Sequence, residues 1–139
     1  MEGSLVHSGN SFSLVESVND NMNDLMVDAQ CYYPFKLRSE IASLSHVDRL
    51  RIQGEASRLV ARLAWLTAWV GFQRAIHAGE PVAQDLQSTL DDELRHTLMG
   101  PPFAPGLWMP ARLISLLDRS RSVLLSIRDV DDEASHATS

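Results

Sequence analysis

The chain is 139 residues long, 45% hydrophobic and 22% charged, with 18 acidic side chains against 12 basic ones. That is the length of one domain with enough apolar content for a core, and seven glycines and six prolines rule out collagenous, low-complexity and wholly disordered chains. A net charge of -6 argues against a nucleic-acid partner, and a single cysteine, Cys31, excludes an internal disulfide framework and a cysteine-rich zinc site.

Residues 1–12 are small, polar and aperiodic, which reads as a mobile leader. They carry no Lys or Arg ahead of an apolar run, so no secretory signal is visible. Ser13 followed three residues later by Glu16 has the form of a capping box. From there Val15, Val18, Met22, Leu25, Ala29 and Tyr32 recur at spacings of three and four, the stripe of an amphipathic helix. Tyr33 precedes Pro34, which predicts the end of this element. In the connection that follows, Leu37, Ile41 and Leu44 are spaced to dock as a short turn.

Ser45 with Asp48 in the first turn predicts the start of a second helix, and His77, Gly79 and Pro81 predict its end near Ala78. At 1.5 Å per residue it is about 50 Å long, the spine of a bundle. Its second half, residues 59–76, is apolar almost all round. Leu59, Leu63, Leu66 and Val70 make one row; Trp65, Trp69, Phe72 and Ile76 make another. Only 11 residues separate Arg62 from Arg74, against roughly 20 needed to cross a bilayer, so a membrane span is rejected. The expectation is that one row packs in the bundle while the tryptophan row is core or is covered by a second subunit.

Val82, Leu86, Leu90, Leu94 and Leu98 repeat every fourth residue and predict a short helix after Pro81. The run from Gly100 to Gly106 is a hard break. Pro110 then opens a last long helix whose stripe is Leu113, Leu117, Ser120, Leu124 and Ile127, widened by Ile114, Leu116 and Val123. Fraying is expected near Asp129, with residues 131–139 as a flexible acidic tail. The expected architecture is all-α: an up-and-down bundle over residues 13–130, of three long helices with a short additional helix between the second and third.

Candidate chemistry is sparse. Glu93 and His96 sit three apart, as metal ligands on one helix face do, but a di-iron bundle needs two such motifs and two further glutamates. Cys31 lies beside two tyrosines with no histidine adjacent in sequence, Asp91-Asp92 falls in a polar run, and no glycine-rich phosphate loop or serine elbow is present. No metal, cofactor or catalytic residue is therefore expected, and a metal- or small-ligand-binding helical bundle is the alternative reading. Glu16, Asp20, Asp24 and Asp28 recur every four residues and form an acidic row, either a solvated face or a docking surface for a basic partner. Arg51, Arg58 and Arg62 are the cations available to offset it. These acids, with Arg58 and Arg62, are the candidate partner-binding residues, and Trp65, Trp69, Phe72 and Ile76 the candidate dimer or core interface.

The stretch from residue 53 to Glu80 resembles the second helix of the alphaproteobacterial regulator of CtrA degradation family, the RcdA-like proteins. The family's block of E-x-x-R-L-x-x-R-L, an aromatic residue, Q-R-A and a G-E turn is matched by Glu55, Arg58, Leu59, Arg62, Leu63, Trp69, Gln73, Arg74, Ala75, Gly79 and Glu80. Pro110 to Ile114 and Asp118 to Ser120 are similar to its last helix, so the resemblance extends over about residues 13–130. Eleven arginines against one lysine suit a GC-rich bacterial genome. The resemblance implies a cytoplasmic homodimer without catalysis. It would be an adaptor that helps deliver cell-cycle regulators to the ClpXP protease beside a response-regulator-like co-adaptor. Some family members use a disordered C-terminal tail in delivery, whereas only about ten residues follow the last expected helix here.

Overall fold

The computed structural model describes the backbone of residues 2–95 and 108–138 and the side chains of residues 12–95 and 108–129. In chain order it forms α1 (Glu2–Tyr32), a π-helical turn (Tyr33–Leu37), α2 (Arg38–Ile41), α3 (His46–His77), α4 (Gln84–Glu93) and α5 (Ala111–Thr138). The described residues contain no strand, and the fold is an all-α bundle.

The stripes read from the sequence are the buried ones. Val15, Val18, Met22, Leu25, Ala29 and Tyr32 of α1 are buried, as are Leu113, Leu117, Ser120, Leu124 and Ile127 of α5. Leu37 and Ile41 are buried and Leu44 packs against the core they join, so the connection docks as a turn. On α4, Leu90 is buried while Leu86 faces solvent.

Side-chain contacts fix the directions. Met22 meets Thr67, and Glu16 meets Arg74, so α1 and α3 are antiparallel. Asp28 meets Arg119, and a cleft joins Leu14 and Ser17 to Val123 and Ser126, so α1 and α5 are antiparallel too. α3 and α5 therefore run the same way, and the short α4 provides the return between them.

The ends of α3 are built as its sequence predicts. Ser45 is extended (ψ 158°), and its hydroxyl accepts a hydrogen bond from the Asp48 amide at 3.2 Å. At the other end Gly79 has φ +76°, the left-handed geometry that a Cβ disfavours. Its amide bonds the Ile76 carbonyl and the Glu80 amide bonds that of Ala75, the paired bonds of a Schellman stop.

Three expectations about boundaries are corrected. Helical backbone already covers residues 2–12, so Ser13 lies inside α1 and its capping box is not formed. An amide inside a running helix is bonded to the carbonyl four residues back and has no need of a side-chain cap. Pro34 widens the helix rather than ending it. Its ring would collide with the Gln30 carbonyl in α-helical geometry, and a wider π turn relieves that clash. Finally, α5 does not stop near Asp129 but continues to Thr138, with no glycine or proline between Ala111 and its end.

Candidate protein-interaction surface

Four faces of α3 decide what this bundle presents. The first is the core face, where Ile52, Leu59, Leu66 and Val70 are buried against α1 and α5. The second carries the tryptophan row. Trp65, Trp69 and Phe72 are buried within a single chain, and the Trp65 indole N–H donates to the Leu90 carbonyl of α4 at 2.9 Å. Trp65 and Trp69 stack with centroids 6.5 Å apart. A second subunit is therefore not what covers these rings; at Trp65 the cover is the chain's own α4. Ile76, at the end of the row, is 41% exposed.

The third face meets α5 through polar groups. Arg62 is 3% exposed and donates to the Leu117 carbonyl at 3.1 Å and to the Ser120 hydroxyl at 3.0 Å. Glu55 is 2% exposed, with the Arg58 guanidinium 3.8 Å away. Burial, and next the neighbouring Arg58, hold the Arg62 guanidinium below its ordinary pKa. Asp118 and Arg121 complete the rim of a cleft of about 140 Å³. Of the two arginines read from sequence as partner-binding residues, Arg62 is here the polar joint between α3 and α5, while Arg58 lies beside Glu55 on α3 itself.

The fourth face points away from the bundle. It runs from Leu50 through Gly54, Ser57, Ala61, Ala64 and Ala68 to Gly71 and Ala75, at alternating spacings of four and three. About seven turns of helix pass along it without a charged side chain. Leu50 is 54% exposed, and a Cβ added to Gly71 would meet nothing within 4 Å. Along one border the face opens into an apolar groove against α1, about 570 Å³ in volume, lined by Met26, Tyr33, Pro34, Val60, Leu63 and Ala64 among others. Tyr33 stands in its wall, with its hydroxyl bonded to the Ala56 carbonyl at 2.9 Å. Solvent-facing helix surfaces ordinarily carry charge, so an uncharged strip beside an apolar groove stands apart from the rest of the surface.

Sequence reasoning passed over this face because its residues are small. The signal was present as eight uncharged positions in a strict four-and-three alternation.

The acidic row is split by the fold. Glu16 pairs with Arg74 at 3.3 Å and Asp28 with Arg119 at 2.6 Å, whereas Asp20 and Asp24 make no ion pair among the described residues. The cations that meet it are thus Arg74 and Arg119, not Arg51, Arg58 and Arg62. Glu93 is exposed, and His96 lies outside the described residues. Among the described residues no three His, Cys, Asp or Glu side chains gather closely enough to hold a metal ion. Cys31 is exposed. Partial burial raises the Asp91 carboxyl above its ordinary pKa, with Arg95 opposing the shift.

Compared with known families, residues 10–139 match the family described as a protein of unknown function, DUF1465. The chain belongs to the DUF1465 family. No curated protein and no solved structure matches it. Two features thus define this DUF1465 bundle: the buried Glu55–Arg62–Ser120 joint inside and the uncharged outer face of α3 outside. No helix among its described residues is long and apolar enough to cross a membrane.

Proposed function

We propose that this chain is a non-enzymatic, cytoplasmic adaptor that acts as a homodimeric protein-interaction module and helps deliver cell-cycle regulatory proteins to the ClpXP protease. The observation that carries the interaction role is the exposed, uncharged outer face of α3 with the apolar groove beside it. Support for the delivery role is the resemblance of the block from Glu55 to Glu80 to the regulator of CtrA degradation family. An adaptor of this kind raises the concentration of a client at the protease and breaks no bond itself.

The test is a pull-down with the purified chain as bait, read by mass spectrometry. Recovery of ClpX, a receiver-domain protein or a short-lived transcription regulator is the expected result; recovery of none of these overturns the delivery role. A second reading, a small-ligand-binding bundle, is favoured by the groove, whose volume lies within the range of small-molecule sites of about 300 to 1,000 Å³. Native mass spectrometry distinguishes it, because a bound apolar ligand adds a discrete mass that denaturation removes.

A further inference from the structure

The outer face of α3 has a property beyond lacking charge: its order of spacings, four-three-four-three-four-three-four, is the same from either end. We propose that the occupant of this face is a second copy of this chain. Its α3 lies against this one in the opposite direction, on a two-fold axis between Ala61 and Ala64. The proposal rests on the homodimer reading above and gives it a place and a register.

In that register every position meets another of the same face. Ala61 faces Ala64 of the partner subunit, Ser57 faces Ala68 of the partner subunit, and Gly54 faces Gly71 of the partner subunit. A self-complementary patch of this kind is what a two-fold dimer requires. The mean spacing of 3.5 residues keeps such a seam facing its partner along a left-handed pair. Where glycine faces glycine the two backbones come closest. That gives Gly71 a role, since within the chain its missing side chain leaves open space and only weakens the helix. A different protein would need some feature to select it, and the strip offers no charge for one to recognise.

Area supports the same occupant. From Leu50 to Ala75 the strip is about 40 Å long, and one helix face about 10 Å wide gives roughly 400 Å² per copy. The groove wall of Met26 and Gln30 on α1, with Tyr33 and Pro34 of the π-helical turn, borders it. Including that wall brings the total over two copies to about 1,000 Å², the least that a specific interface buries.

The experiment compares the full chain with Ala64→Arg and Ser57→Arg by sedimentation at about 50 µM, under reductant so that exposed Cys31 forms no disulfide. Circular dichroism on the same samples checks folding. Wild type should sediment at twice the chain mass, and each variant should halve that mass while keeping its helicity; if one variant unfolds, the other decides. Asp20→Arg, on a different face, should leave the dimer intact. A folded Ala64→Arg or Ser57→Arg that remains dimeric overturns the placement and leaves the homodimer reading standing. A monomeric wild type overturns both, and the ClpX pull-down still judges the delivery role on its own terms.

Discussion

Arg62 shows most clearly how one residue ties distant parts of this chain together. Its guanidinium reaches partners 55 and 58 residues away in sequence, the Leu117 carbonyl and the Ser120 hydroxyl. Ser120 in turn occupies a core position of α5 with no exposure, and its own hydroxyl donates back to the Leu117 carbonyl at 2.7 Å. All buried side-chain polar atoms among the described residues are satisfied, so the joint is fully bonded. Arg62→Ala should therefore cost about 2–4 kcal/mol in urea unfolding, through a cavity, a lost hydrogen bond at Leu117 and a buried Glu55 with one cation fewer nearby. Ser120→Ala should cost less, about 1 kcal/mol, because the carbonyl keeps its bond to Arg62. The sequence showed Arg62 as a cation on a helix but not its burial, since the groups that satisfy it lie on a helix far along the chain.

At the scale of elements, local chemistry and distant packing divide the work. The ends of α3 were legible because Ser45 acts on Asp48, and Gly79 on Ile76, within a few residues. The run from Pro34 was not, because proline blocks the α-helical hydrogen bond without dictating whether the chain stops or widens. Packing of Leu37 and Ile41 settles that choice in favour of widening. The tryptophan row was legible as buried but not as to what buries it: nothing in Trp65 itself points to the Leu90 carbonyl of a helix that begins 19 residues later at Gln84. α4 is held at this point by one indole hydrogen bond and by Leu90 and Leu94. Trp65→Phe keeps most of the ring and removes the N–H, so a loss of about 1–2 kcal/mol is expected. It should appear chiefly as faster amide exchange over residues 84–93, because the first opening to gain population is the undocking of α4.

For the molecule as a whole, the tyrosines at the α1 turn set an alkaline limit. Burial, and then the hydrogen bond to the Glu40 carboxylate at 2.6 Å, raise the Tyr32 pKa; burial alone raises that of Tyr33. An unfolded tyrosine loses its proton near pH 10. Since the folded chain holds these protons longer, their contribution is fully present below about pH 10 and declines as pH rises beyond it. The urea midpoint should thus fall between pH 9 and pH 11, and by less in Tyr33→Phe than in wild type. Whole-molecule topology was legible too, since a short α4 between two long helices is the return stroke that lets α3 and α5 run the same way. The outer face of α3 was the part that escaped, because alanine, glycine and serine form no apolar stripe of the kind that betrays a buried face.

The stacked pair Trp65–Trp69 also gives the chain an optical asymmetry. Two of its three indoles are shielded and in contact, while Trp108 is 57% exposed. An aqueous quencher such as iodide therefore extinguishes one emitter and spares two, and the surviving light comes from the stacked pair, of which Trp65 lies against α4. Lifting that helix uncovers Trp65 to water and shifts its emission to the red. The intrinsic glow of the folded chain is thus a gauge of whether its short helix is seated, readable without a label.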